Sequence, residues 1–197
     1  MGSGSAFGEP FYCTEKQQLA SLNAGDGYTS EKTLRLLLFS YCNRSCKGCC
    51  NNDWDLNSLE IENNFTGYSE IMLTGGEPMI FIGVVINAVR KIREQTKVPI
   101  YLYTAKVDNL PEICTVLWYV DGLTLTLHEQ EDVGHFLRFN KTLLEIKPNK
   151  KLRLNVFKGV GIPPEADLSM WKIKNNIKWI KKCPLPINEV FRKYSDV

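Results

Sequence analysis

Between Thr33 and Phe157 short apolar runs alternate with amphipathic ones, and this rhythm limits the fold more than any other feature. Leu34 to Phe39 is nearly continuously apolar, as expected of a strand buried on both faces. Ile71 to Thr74 reads as a second strand. From Ile80 to Lys97, Phe81, Val84, Val85, Ala88, Val89 and Ile92 form a helical stripe, with Asn87, Arg90, Lys91, Arg93 and Glu94 on the other face. Val98 to Thr104, Leu123 to Leu127 and Leu152 to Phe157 read as strands, and Leu110 to Tyr119 and Val133 to Ile146 as helices. Beyond Gly161 the rhythm weakens. Met170, Ile173, Ile177 and Ile180 keep helical spacing, Ile177 to Ile180 also suits a short strand, and Pro184 and Pro186 break regular structure. Strands joined by helices predict a parallel α/β sheet with right-handed crossovers. The units fall short of a closed eight-unit barrel, so the expected architecture is an open, partial (β/α) barrel of five to six parallel strands. Functional groups should gather at the carboxyl ends of those strands.

Directly after the first strand comes Cys42-Asn43-Arg44-Ser45-Cys46-Lys47-Gly48-Cys49-Cys50, whose first three cysteines read C-x3-C-x2-C. A tight loop closing three thiolates on one side of an iron–sulfur cube leaves one iron open to a small molecule, whereas four thiolates saturate the cube. A structural zinc site on Cys42, Cys46, Cys49 and Cys50 is the bland alternative. Zinc sites usually pair two separated knuckles, while here adjacent Cys49 and Cys50 would have to converge on one ion. A disulfide framework fits less well: seven cysteines is an odd count, the chain is long, and no secretory segment precedes it.

The second predicted strand runs straight into Gly75-Gly76-Glu77-Pro78. Together, C-x3-C-x2-C and a strand-terminal GGEP resemble the radical S-adenosylmethionine (radical SAM) superfamily, over Leu34 to roughly Ile162. The resemblance makes Cys42, Cys46 and Cys49 the ligands of a [4Fe-4S] cluster and the catalytic core. It places Gly75, Gly76, Glu77 and Pro78 at the methionine end of S-adenosyl-L-methionine. It implies that the open iron chelates SAM, that an electron cleaves the sulfonium, and that a 5′-deoxyadenosyl radical abstracts hydrogen. The cofactor carries the hard chemistry, and the protein positions it. From the residues alone, the two glycines would let a ligand approach the main chain closely and adopt angles other residues avoid. Glu77 would offer its carboxylate to an ammonium group.

Thr124 and Thr126 alternate on the fourth predicted strand, with His128 and Glu129 at its end, so Thr124, Thr126 and His128 are candidate contacts to cofactor or substrate. Asn155 and Lys158 end the fifth, where Gly159-Val160-Gly161-Ile162 resembles a glycine-containing loop near the adenine in this superfamily. Asn155 is the further cofactor candidate. His135 falls within a helix and reads as structural. Many superfamily members carry an aromatic residue just before the third cysteine, packing on the adenine; here that position is Gly48. The string Cys46-Lys47-Gly48-Cys49-Cys50-Asn51, with Trp54 beyond, is instead similar to the activase of the anaerobic ribonucleotide reductase, although Cys50 replaces the usual tyrosine. The role of Cys50 is left open. Cys13, Cys114 and Cys183 are isolated, Cys114 reads as core, and only one cluster is expected.

At 197 residues the chain suits one domain over residues 6–197, with a radical SAM core near 33–162. Met1-Gly2-Ser3-Gly4-Ser5 reads as the remnant of an engineered leader. No apolar stretch reaches about 18 residues, so no membrane span is expected. Oxygen-sensitive thiolates and the lack of an export signal point to a reducing cytoplasm. The net charge of +2 hides thirteen Lys or Arg against five Asp or Glu from Lys141 onward. Interspersed with apolar residues, these lysines read as a solvated face; attraction of an anionic partner is the alternative, and nucleic acid is not specifically indicated. The function expected from the resemblance is a small radical SAM enzyme, fed by a low-potential donor such as flavodoxin or ferredoxin. It would activate a glycyl-radical partner enzyme or, alternatively, modify a small, nucleotide-like anionic substrate as deazaguanine synthases do. A non-catalytic iron–sulfur electron carrier or zinc-binding module is the alternative of another class.

Overall fold

A computed structural model of the protein describes residues 32–46, 48–180 and 182–195. Residues 1–5, read above as an engineered remnant, and Cys13 lie outside the described residues. Eight strands are described: β1 (Lys32–Leu37), β2 (Ile61–Glu62), β3 (Tyr68–Thr74), β4 (Ile100–Thr104), β5 (Gly122–Leu127), β6 (Lys151–Phe157), β7 (Trp171–Ile177) and β8 (Glu189–Tyr194). They form one sheet in the order β2-β8-β1-β3-β4-β5-β6-β7. Every neighbouring pair is parallel. Helices α1 (Ile82–Gln95), α2 (Leu110–Tyr119) and α3 (Asp132–Ile146) make the crossovers from β3 through β6. The sheet is not closed, with β2 and β7 at its edges. This is an α/β fold consistent with an open partial barrel.

The expected five to six strands become eight because the C-terminal segment adds two and the linker after the cysteine loop adds β2. The helical spacing beyond Gly161 misleads. Trp171 to Ile177 alternates Lys172, Ile173 and Lys174 at the period of a strand and pairs with β6. Pro184 and Pro186 stand in the connection to β8, which crosses from the β7 edge and slots between β2 and β1. Edge strands invite unwanted pairing, and Lys172 and Lys174 on β7 suit the usual charged protection. That accounts for part of the basic C-terminal charge as a surface device.

Strand alternation sorts two layers. Leu34, Leu36, Ile71, Leu73, Ile100, Leu102, Leu123 and Leu125 face the helices and join Val85, Ile92, Ile113, Val116, Phe136 and Phe139 in one core. The opposite, concave face is more polar: Arg35 forms a buried ion pair with Glu189, while Met72, Tyr101 and Tyr103 make a small apolar cluster. Thr124 and Asn155 are buried on it too. No helix among the described residues is long and apolar enough to cross a membrane.

Candidate active site

The cysteine loop leaves the carboxyl end of β1, and the GGEP turn leaves the carboxyl end of neighbouring β3. Main-chain hydrogen bonds zip the two together. Leu38 N–H donates to Thr74 O at 2.8 Å, Gly76 N–H to Phe39 O at 2.8 Å and Glu77 N–H to Tyr41 O at 3.0 Å. Asn51 adds a side-chain bond, its Nδ2 donating to Gly75 O at 2.9 Å. The glycines serve this contact. A β-carbon on Gly76 would lie 1.9 Å from Tyr41 O, and one on Gly75 3.0 Å from Phe39 O. Neither glycine is among those with positive φ, so close approach of chain to chain, not unusual backbone angles, explains them.

Glu77 is 3 % exposed and acts as a clamp. Its carboxylate accepts from Met79 N–H at 3.0 Å, from Ala105 N–H at 2.8 Å and from the Thr104 hydroxyl. It thereby caps the turn Pro78–Ile80 and ties the GGEP segment to the end of β4. Burial pushes its acidity constant up, while the Thr104, Ala105 and Met79 hydrogen bonds pull the other way. Three of about four acceptor positions are taken, leaving roughly one for a ligand.

Arg44, inside the cysteine loop, is the group the sequence did not flag. Its guanidinium pairs with the Asp132 carboxylate at the start of α3 and donates to Ala105 O at 3.2 Å. Asp132 also accepts the backbone N–H groups of His128 at 2.8 Å and Glu129 at 3.1 Å. Burial opposes ionisation of both groups, yet the mutual hydrogen bond holds the Arg44 constant above and the Asp132 constant below the ordinary values. Arg44 thus fastens the loop to the ends of β4 and β5.

These contacts enclose one pocket. It is lined by Cys42, Cys46, Cys49 and Cys50, by Gly75, Gly76 and Glu77, by Arg44, Asn51, Tyr103 and Thr104, and by Thr126, His128 and Trp179. Pro78, Thr124 and Asn155 do not line it: Pro78 starts the following turn, and Thr124 hydrogen-bonds Tyr103 deeper on the concave face. Asn155 is buried, and its Nδ2 lacks a hydrogen-bond partner among the described residues. His135 lies in α3 beside Arg138, 2.7 Å away. Gly161 exchanges two hydrogen bonds with Gln130, away from the pocket. Cys114 packs partly against the core.

Trp179 enters from the β7–β8 connection. Its ring stacks on His128 with centroids 5.1 Å apart and an interplanar angle of 15°, and lies 4.3 Å from Phe157. A β-carbon on Gly48 would lie 2.6 Å from Trp179 Cε3. An aromatic ring from a residue distant in the chain thus packs against Gly48. Nothing in the local motif could have shown this. Cys183, expected to stand alone, instead hydrogen-bonds Cys50.

Burial raises the Cys42 and Cys46 thiol constants, with neighbouring thiolate charge adding to it. Burial and the nearby Arg44 charge push His128 down to about 4. Its Nδ1 is buried without a partner among the described residues. No three His, Cys, Asp or Glu side chains among the described residues are placed to hold one metal ion. Ligands of a cube bind separate irons and so stand farther apart than the ligands of a single ion; Cys42, Cys46 and Cys49 line the same pocket. Three thiols on one pocket wall, facing a GGEP turn whose Glu77 keeps about one acceptor position, are a donor set that would suit a cluster with an organic ligand beside it. No family model matches the chain, and no curated protein matches it.

Proposed function

We propose that the chain is a radical SAM enzyme that holds one [4Fe-4S] cluster on Cys42, Cys46 and Cys49 and reductively cleaves SAM to begin hydrogen abstraction. The observation that carries this reading is the single pocket in which three closely spaced thiols meet the GGEP turn at the carboxyl ends of β1 and β3. When bound, cluster and SAM supply the one-electron chemistry. The chain's own residues position and shield. Arg44 adds positive charge beside the thiolates and fixes their loop through Asp132. Glu77 holds the turn and keeps an acceptor for an ammonium group. His128, neutral near pH 7, offers a hydrogen-bonding nitrogen without charge. Trp179 presents an aromatic face beside Gly48, a position where many members of the resembling superfamily carry an aromatic side chain.

Two features favour a protein substrate, a glycine of a glycyl-radical partner, over a small anion. Arg44 is the one cation among the described residues lining the pocket, and it is already paired with Asp132. Tyr41 and Phe81, adjoining the cysteine loop and the GGEP turn, are 61 % and 48 % exposed and contact each other. Such a rim suits a docking polypeptide. A reducing cytoplasm and a flavodoxin or ferredoxin donor complete the proposal. The test is anaerobic reconstitution, then SAM and dithionite with and without a deuterated glycyl-radical enzyme. Deuterium in 5′-deoxyadenosine and a glycyl signal by electron paramagnetic resonance are expected. A clustered, SAM-bound protein that makes no 5′-deoxyadenosine overturns the reading in favour of an electron carrier. Deuterium arriving only from small nucleotides overturns the protein substrate.

A further inference from the structure

Cys50 and Cys183 lie far apart in sequence, yet their thiols are hydrogen-bonded to one another. Cys50 opens the turn Cys50–Asp53 just after the third cluster cysteine. Cys183 sits on the connection from β7 to β8 and is 4 % exposed. Its backbone N–H donates to Asp53 Oδ2 at 2.8 Å. The connection is thus anchored twice to one short turn, by a backbone N–H held on the Asp53 carboxylate at its end and a thiol contact at its start. A surface groove lined by Asp53, Trp54 and Pro184 reaches Cys183, while Cys50 borders the candidate active-site pocket on the other side. Neither sulfur is needed for the three-thiolate cluster site.

We propose that Cys50 and Cys183 are a redox-active dithiol, oxidised to a disulfide by exchange with a low-molecular-weight disulfide of the oxidised-glutathione class. The Cys183 sulfur attacks one sulfur of the oxidant, forming a mixed disulfide and releasing one thiol. The Cys50 sulfur then displaces the second. The protein loses two thiols and gains one disulfide; the oxidant's disulfide becomes two thiols, which take up the two protons. The second step joins sulfurs already in contact, so it carries little of the entropic cost of bringing two distant chain segments together. The order of attack follows the surroundings. The Cys50 thiol donates to Cys183, and the Arg35 guanidinium adds its charge, which together hold the Cys183 constant below its ordinary value.

A Cys50–Cys183 link would tie the connection that carries Trp179 to the cysteine loop, so oxidation would be felt in the pocket. The inference stands on the contact between two thiols, not on the cluster reading, and the two can fail separately.

The 197-residue chain isolated anaerobically, treated with oxidised glutathione, trapped with N-ethylmaleimide and digested provides the test. The expected product is one peptide pair joining Cys50 to Cys183, reversed by dithiothreitol, with the iron content of the protein unchanged. In Cys50→Ser the link should be absent and Cys183 should carry one glutathione instead. The decisive measurement uses the wild-type chain, so a variant that folds poorly does not blunt it. Cys183 fully labelled by maleimide under a large excess of oxidant overturns the proposal. So does oxidation confined to Cys42, Cys46 and Cys49.

Discussion

The carbonyl oxygen of Tyr41 stands 1.9 Å from the place a β-carbon on Gly76 would take, with the Ser40 carbonyl 2.6 Å away. The obstructing atoms are backbone, held by the Glu77 N–H to Tyr41 O bond, so they cannot swing aside. Gly76→Ala should therefore push the cysteine loop off the GGEP turn. Overpacking of this kind costs about 1–3 kcal/mol, and the upper end applies where main chain must move. Gly75→Ala, whose β-carbon would meet Phe39 O at 3.0 Å, should cost less. Urea midpoints measure both; equal midpoints for Gly76→Ala and wild type would refute the contact.

Cys42, Cys46 and Cys49 should each be indispensable for the cluster, and Cys50 should not. Alanine at any of the first three should abolish iron retention after anaerobic reconstitution, read by iron content and visible absorption. Cys50→Ala should keep about four irons per chain, because three thiolates and one exchangeable ligand satisfy one cube. Stoichiometric zinc, with Cys50 essential, would instead support the zinc alternative.

Glu77→Ala removes the acceptor of three donors at once, from Met79, Thr104 and Ala105. Each buried donor left unpaired costs about 1–3 kcal/mol, so thermal unfolding should move down clearly even without cofactor. SAM affinity, by calorimetry on clustered protein, should fall roughly tenfold or more for loss of one charge-assisted contact. A variant with lower stability and unchanged SAM affinity would leave Glu77 as a clamp alone.

How much of this was legible in the sequence depended on the range of the interaction. Apolar period located β1, β3 to β6 and all three helices within a few residues, because those elements bury a face against their own neighbours. It failed at Trp171–Ile177, where Asn175 and Asn176 interrupt the strand alternation and Met170, Ile173, Ile177 and Ile180 mimic a helical stripe. The cysteine and GGEP strings lay open because each is local. Arg44 with Asp132, Gly48 with Trp179 and Cys50 with Cys183 each join residues far apart in the chain. A single sequence carries no sign of such pairing. The two glycines stood out in the string, but the Tyr41 and Phe39 carbonyls that pack against them come from another segment and left no local sign.

His128 provides a pH test of the pocket wall. Burial, then the Arg44 charge, lower its constant from 6.5 to about 4, with Asp132 acting in the opposite sense. Its folded value lies below the unfolded one. Between those two values the unfolded chain binds more protons, so stability should fall as pH drops from about 6.5 toward 4. The whole shift corresponds to at most about 3 kcal/mol, at 1.36 kcal/mol per unit. Proton NMR of the imidazole signals should show one histidine titrating near 4 in the folded protein. Arg44→Ala removes the depressing charge and leaves Asp132 unpaired, and both changes favour the imidazolium. The His128 midpoint should therefore rise in that variant and the acid loss of stability should shrink, while a His135→Gln control leaves the low titration in place. An unmoved His128 midpoint in Arg44→Ala would mean that the Arg44 charge does not act on the ring.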